Sequence, residues 1–240
     1  MLDKPTIRTA KHAAGATMIE ILVTVVILAV GLLGIAALQL TSKKSSFESV
    51  QRTTASMLAQ GILEKMRANA GNIGGKADTP ATYNPAQPLN VYAGTLENPA
   101  AAISAATFTS EPAPNCGGTG TPCSPLQLAT HDLWEFQQAL IGATVTDSLT
   151  QTANIGGLVS PIACIDSFVT EATTVGIPPK PTRAGRYRIT IAWRGQTEIS
   201  DPDPNNPCGQ ASGNYDGDTA GDNDHRRLIV VDTMIAQSDH

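Results

Sequence analysis

One apolar run, residues 16–40, constrains this chain more than any other feature. Fourteen of its 25 residues are Ile, Leu or Val, and its one ionisable residue is Glu20. At about 1.5 Å per residue, an α-helix over this run is about 37 Å long, which is enough to cross a lipid bilayer. Burial of the aliphatic side chains outweighs the cost of one carboxylate. The sequence therefore predicts a membrane-spanning helix over residues 16–40.

The charges that flank this run favour one orientation in the membrane. Basic residues precede it at Lys4, Arg8 and Lys11, and a further pair follows it at Lys43 and Lys44. Because basic residues tend to stay on the cytoplasmic side, we expect a cytoplasmic N-terminus and an extracytoplasmic head, although the second pair weakens the bias.

Glu20 lies near the start of the apolar run, where a carboxylate is costly. No basic residue lies three or four positions away to pair with it. A cleaved signal peptide is one alternative, since Gly34-Ile35-Ala36-Ala37 could pass for a cleavage site, but the run exceeds the about 7–15 residues of a signal core. A plain single-pass anchor is another, and it gives Glu20 no role. The carboxylate therefore indicates a partner outside the chain.

The start of the run resembles a known processing junction. Gly15-Ala16-Thr17-Met18-Ile19-Glu20 is similar to the class III leader junction of type IV pilins and type II secretion pseudopilins, in which a short basic leader ends in Gly and Glu is the fifth residue after it. Residues 27–39 resemble the PilV (type IV pilus modification protein) family of minor pilins. The resemblance is strong over about residues 1–40. Ala16 stands where the major pilins have Phe.

This resemblance implies a function for the junction. Prepilin peptidase would cut between Gly15 and Ala16, the new amine of Ala16 would be a candidate for N-methylation, and Glu20 would meet the N-terminal amine of a neighbouring subunit in a filament. The implied partners are the major pilin, other minor pilins and the inner-membrane assembly platform, with no cofactor. The chain would begin as a single-pass inner-membrane protein and end in an extracellular pilus, in a tip or priming complex that promotes assembly, adhesion or motility.

The apolar helix is expected to continue beyond the membrane, because no Pro occurs between residues 40 and 80. Apolar residues recur every three or four positions and predict an amphipathic helix over 41–70 that packs on its own head; they are Phe47, Val50, Thr54, Met57/Leu58, Gly61/Ile62 and Met66. Asn69-Ala70-Gly71 predicts its end. The domain organisation is then a leader (1–15), an assembly helix (16–40), its amphipathic continuation (41–70) and a head (71–240).

The head is expected to be α+β, with the long helix packed on an antiparallel sheet as in type IV pilins. Residues 71–127 are rich in Gly and Pro and predict a long irregular connection. Asp132 and Glu135 form a capping-box analogue that predicts a helix from 132 to 140, with Leu133, Phe136 and Leu140 facing inward. Strands are predicted over 158–168, 186–194 and 227–235, the second with alternating apolar and basic residues.

Four cysteines indicate an oxidising compartment. They lack paired CxxC spacing, which argues against a zinc site and favours two disulfides. Three pairings are possible; we favour Cys116–Cys123, across a short flexible loop, and Cys164–Cys208, from a strand to the loop between the last two strands.

Two weaker signals concern ligands. The basic strand face, with Lys180, Arg183, Arg226 and Arg227, could bind DNA, but the net charge of −5 and the lack of interleaved aromatic residues disfavour nucleic acid. Carboxylates at Asp216, Asp218, Asp222 and Asp224 alternate as in a calcium loop, but the EF-hand pattern fails, and an acidic solvated loop is the simpler interpretation. No catalytic motif occurs, so an enzyme is not expected.

The sequence leaves two alternatives to a minor pilin. A minor pseudopilin of type II secretion would use the same junction and helix. A membrane-anchored periplasmic binding module, which could bind DNA, would not need Glu20.

Overall fold

A computed structural model describes residues 15, 17–70, 88–93, 103–104, 106–117, 122–143, 156–168 and 185–235. The described residues include three helices: α1 (Met18–Ala70), α2 (Pro88–Tyr92) and α3 (Pro125–Ile141). Three strands follow: β1 (Ile162–Phe168), β2 (Gly185–Arg194) and β3 (Arg226–Ile235), with a short 3-10 turn at Gln210–Ser212. The predicted end of the long helix and the three predicted strands agree with these bounds to within a few residues.

The chain divides into two compact units, Met1–Phe47 and Glu48–His240. In the described part of the first unit, α1 begins at Met18, and its large apolar side chains up to Leu40 are exposed, from 48% for Val23 to 87% for Met18. This helix is long and apolar enough to cross a membrane. A long N-terminal helix of this kind is compatible with a single-pass anchor.

The second unit is built on a three-stranded antiparallel sheet in the order β1-β2-β3. Ile165 of β1 pairs with Ile189 of β2, which in turn pairs with Val231 of β3. The predicted alternation along β2 is confirmed on one face, because Tyr187, Ile189, Ile191 and Trp193 are all buried. They share one core with apolar residues of α1, α2 and α3. The unit is therefore α+β.

The buried face of α1 agrees with the predicted one only in part. Ile62 and Met66 are buried as predicted, whereas Val50 and Met57 are 58% and 67% exposed. The buried residues of the helix are Gln51, Ala55, Ala59, Ile62, Leu63, Met66, Asn69 and Ala70. The two alanines are small and let the helix pack closely, so hydrophobicity alone did not select the face.

The start of α3 also differs from the prediction. The helix begins at Pro125, seven residues before Asp132, and its N-cap is Ser124. Ser124 and Gln127 form a complete capping box, and Pro125 occupies the first turn, where it costs no hydrogen bond. Asp132 and Glu135 are therefore interior helical residues, and the predicted capping role for them is wrong. Leu133, Phe136 and Leu140 are buried as predicted.

The region predicted as a long surface connection contributes to the core where the structure describes it. Leu89 and Tyr92 of α2 are buried, and Ile103 forms an isolated antiparallel bridge with Ala163 of β1. The side chain of Gln137 in α3 donates to the carbonyl of Phe108 and accepts from its N–H, at 2.8 and 2.7 Å. These contacts were not foreseen because the segment has no hydrophobic period.

Candidate assembly helix and its anchoring contacts

The predicted processing junction lies at the start of α1. Gly15 is exposed, Ala16 lies outside the described residues, and Glu20 is exposed in the first helical turn. The Glu20 N–H donates to the hydroxyl of Thr17 at 3.3 Å, so Thr17 caps the helix. Within the part of the chain that the structure describes, the Glu20 carboxylate has no bonded partner. Sequence reasoning missed this Thr-x-x-Glu spacing, which gives Glu20 a second role: an acidic group at a helix N-terminus is favoured by the helix dipole.

Glu48 connects α1 to the segment after β2 and to strand β3. Its carboxylate accepts from the Gln196 N–H at 2.8 Å and from Arg227 Nε at 3.2 Å. Arg227 also donates to the carbonyl of Thr197 at 2.6 Å. Burial raises the pKa of Glu48, but these hydrogen bonds and the charge of Arg227 together outweigh it, so that its pKa is lowered overall. A charged Glu48 therefore stabilises this contact.

Gln51, one helical turn after Glu48, connects α1 to the segment before β1. Its amide donates to the carbonyl of Gly157 at 3.2 Å and accepts from the N–H of Val159 at 3.1 Å. Gln51 is 6% exposed, and its side chain pairs with two backbone groups just before β1.

The C-terminal part of α1 is bound to α3 by charge. The Lys65 ammonium lies 3.2 Å from Asp132 Oδ1 and is also bonded to Glu135. Burial would lower the pKa of Lys65, but the two carboxylates outweigh it and raise it. The hydroxyl of Tyr92 donates to Asp132, and burial followed by that bond raises the pKa of this phenol. Asp132 thus joins three helices.

The same cluster has the geometry nearest to a metal site among the described residues. Ligand atoms of His131, Asp132 and Glu135 lie within 4.8 Å of one another. Lys65 already supplies a positive charge to both carboxylates, and a metal ion would have to displace it. The cluster is therefore best described as an ion-pair network between helices.

The acidic loop does not bring the calcium candidates together. Asp216, Asp218, Asp222 and Asp224 form no such group among the described residues. Asp222 instead accepts backbone N–H bonds from Gly217 at 2.8 Å and Thr219 at 3.0 Å, and these bonds lower its pKa. The aspartate spacing is accounted for by a loop that is organised by its own side chains.

Both disulfides join the favoured pairs. Cys116 bonds Cys123, and Cys164 bonds Cys208, with sequence separations of 7 and 44 residues. The second bond attaches the connection between β2 and β3 to the sheet, where Cys208 packs with Ile162, Ala192 and Tyr215. No free cysteine is present.

Arg226 was predicted from the sequence only as a possible DNA contact. It is buried, and it binds the connection between β2 and β3. The side chain is 0% exposed and makes a bidentate ion pair with Asp201 at 2.7 and 2.9 Å. It also donates to the carbonyls of Asn206 at 2.8 Å and Cys208 at 3.0 Å. No local pattern in the sequence distinguishes it from a surface arginine.

The arginines of the predicted basic face of β2 have partners within the unit. Asp232 of β3 pairs with Arg186 at 3.2 Å and with Arg188 at 3.0 Å. Arg194 donates to the carbonyls of Asn214 and Asp216. The far end of this face is covered, since Thr190 and Ala192 are 0% exposed. The predicted solvated basic face is therefore confirmed at Arg186, whose side chain is 49% exposed, and wrong at Thr190. Lys180 and Arg183 lie outside the described residues.

Comparison of the chain with protein-family models, with curated proteins and with solved structures found no significant match.

Proposed function

We propose that this chain is a minor type IV pilin. It is made as an inner-membrane prepilin, cleaved between Gly15 and Ala16, and incorporated through α1 into a pilus, where its head is displayed. The observation that carries the proposal is the position of Glu20: the fifth residue after Gly15, in an apolar helix whose side chains are exposed within their own unit.

Assembly would give Glu20 a partner that the described residues do not supply. Cleavage would create a positive amine at Ala16, and the same amine on a neighbouring subunit could pair with Glu20 in an apolar environment. An unpaired carboxylate buried there would cost several kcal/mol, about the penalty for any unpaired buried ion, so subunits that dock with the pair formed are favoured. The major pilin, other minor pilins, prepilin peptidase and the assembly platform are the proposed partners.

The head is suited to display outside the cytoplasm. Two disulfides close it, as expected in an oxidising compartment. Within the unit Glu48–His240, helix α1 is held to the rest of the head by polar contacts of Glu48, Gln51 and Lys65. A pseudopilin of type II secretion would use the same elements, and co-purification with pilus or secretion components separates the two.

A second candidate, a plain membrane-anchored module, is supported by one observation. Thr17 caps the helix through the backbone N–H of residue 20, so the helix start is satisfied without any partner for the Glu20 carboxylate. In that case, position 20 would need a residue that suits the third position of a capped helix, but it would not need a negative charge.

Glu20→Gln separates the two candidates, because Gln suits the same capping position without the charge. As a pilin, the variant should fractionate with the inner membrane while its amount in sheared pili falls at least about tenfold, which corresponds to about 1.4 kcal/mol of lost assembly free energy. Glu20→Leu should behave in the same way. Normal amounts of the Gln variant in pili would refute the charge-pairing argument.

Leader cleavage provides the independent test. The N-terminal sequence of the mature protein should begin at Ala16, and Gly15→Val should leave the full-length chain in the inner membrane. A mature protein that begins at any other residue contradicts the proposal.

A further inference from the structure

The ion-pair network between the helices includes one buried group whose role is still open, the imidazole of His131 in α3. The residue is 3% exposed. Its Nε2 lies 3.4 Å from Glu111 Oε1, and its Nδ1 lies 4.0 Å from Glu135 Oε1. Glu111 belongs to the segment 106–117 that precedes α3. A Cβ built on Gly117 would lie 3.6 Å from the ring, so the end of this segment covers it.

The surroundings of this ring carry more negative than positive charge. The nearest side-chain oxygens of Asp132 and Glu135 lie within 4.8 Å of a ring nitrogen. Lys65 of α1 is bonded to both of these carboxylates, and the Tyr92 hydroxyl of α2 donates to Asp132. With Glu111, three carboxylates share one ammonium group. An uncharged ring would leave an excess of negative charge, and a proton on the ring offsets part of it.

The hydrogen-bonding capacity of the ring leads to the same preference. A neutral imidazole has one N–H, so its other nitrogen would present a lone pair to a carboxylate, whereas the imidazolium donates from both nitrogens. Imidazole side chains change charge between about pH 5 and pH 8. The attraction between the ring and Glu111 is therefore present at the acidic end of this range and is lost as the pH rises through it.

The stretch of chain around Glu111 is held at both ends by contacts that do not depend on this proton. The Gln137 amide pairs with the N–H and the carbonyl of Phe108. Cys116 is joined by its disulfide to the residue before the N-cap of α3. Residues 109–115 can therefore move away from α3 while the core and both ends of the segment stay in place.

We propose that His131 is a proton-dependent latch for residues 109–115. The charged ring binds Glu111 and holds this stretch against α3; loss of the proton releases Glu111 and lets the stretch move between its two fixed ends. Because most of residues 109–115 are exposed, the latch changes the surface of the head in response to the surrounding pH. This role does not depend on leader cleavage or on assembly.

The first test is the titration of His131 in the full chain, in detergent micelles. The chain has four histidines, and the ring signal that is missing from the NMR spectrum of His131→Gln belongs to His131. Glu111→Gln should lower the midpoint of this titration by at least about 0.5 pH units, about a threefold loss of proton affinity, because it removes a partly exposed charged partner. An unchanged midpoint would refute the contact.

Asp218→Asn is the matched control. Asp218 is exposed in the connection between β2 and β3, so this variant removes one negative charge from the head without touching the latch. The midpoint of the His131 titration should stay where it is. A shift as large as that caused by Glu111→Gln would mean that the ring responds to the net charge of the head, and it would overturn the proposal.

The second test measures the movement itself. A nitroxide label on Ser110→Cys, next to Glu111, should gain mobility as the ring loses its proton. Its mobile fraction should rise about three- to fivefold between about pH 5.5 and pH 8, as expected for the loss of an ion pair with one exposed partner. The same label on Ser49→Cys, at an exposed position of α1, should not respond to pH. Equal mobility of the Ser110→Cys label at both pH values would refute the latch.

A neutral residue on either side of the contact should abolish the response. In the His131→Gln or Glu111→Gln background, the Ser110→Cys label should be mobile at both pH values. Glu111 is exposed, so Glu111→Gln decides the outcome even if His131→Gln fails to fold. A label that is still immobilised near pH 5.5 in Glu111→Gln would show that other contacts hold the stretch, and it would overturn the proposal.

Discussion

The two disulfides should contribute unequally to stability, and the difference follows from the lengths of the loops that they close. The chain-entropy model assigns about 4 kcal/mol to a loop of 44 residues and about 2.5 kcal/mol to one of 7. Replacing Cys164 and Cys208 by Ala should therefore lower the free energy of unfolding by about 1.5 kcal/mol more than replacing Cys116 and Cys123. The 4% exposure of Cys208 adds to this difference, since its sulfur is part of a packed cluster.

Guanidinium unfolding of the full chain in detergent micelles measures this difference. Trp193 is 3% exposed in the core and reports the loss of the head by fluorescence. With a slope of about 4 kcal/mol per M, the midpoint should fall by about 1 M without the long loop and about 0.6 M without the short one. Equal losses, or a larger loss from the short loop, would refute the loop-length argument.

The long loop should nevertheless stay in place when its disulfide is removed. Arg226 can still bind Asp201 and the backbone carbonyl of residue 208. Amide hydrogen exchange over residues 201–224 should therefore occur only through global unfolding. Fast local exchange in the double-Ala variant would show instead that the disulfide alone holds the loop.

Two other predictions concern charged contacts in the head. Arg226→Met should cost about 3–5 kcal/mol, since it leaves Asp201 almost buried and unpaired, whereas Arg186→Met, at an exposed ion pair, should cost less than about 1 kcal/mol; similar losses in urea unfolding would contradict this. Glu48→Gln should lower stability by about 1–2 kcal/mol at pH 7, and Glu64→Gln should not. Because the pKa of Glu48 is lowered in the folded chain, its contribution is present above the ordinary Glu pKa and lost as the pH falls through the lowered value, so wild type and Glu48→Gln should converge in acid; a constant gap would refute the pairing.

The elements that could be predicted are those whose signal is local. The apolar run and the lack of Pro place α1, and the end at Ala70 follows from the Gly that comes next. Alternation along β2 identifies its core face before any partner strand is known. The disulfide pairs followed from loop length and the predicted strands.

The residues that could not be predicted are buried polar groups with distant partners. Asp132 has the sequence neighbours of a helix cap, but its partners are Lys65 and Tyr92, 67 and 40 residues away. Arg226 likewise finds Asp201 across 25 residues. Each is buried because another residue neutralises it, and a sequence window that excludes the partner shows only an ordinary surface charge.

The partly misassigned face of α1 has a different cause. Ile62 and Met66 are buried as predicted, but in the part of the helix where Val50 was expected to face the core, Gln51 and Ala55 do so. Close packing at Ala55 and the two backbone bonds of Gln51 stabilise that part of the buried face. A search for large apolar side chains at helical spacing therefore identifies the core face only where the packing partners leave room for them, and it overlooks the stretch where a small residue and a hydrogen-bonded amide take their place.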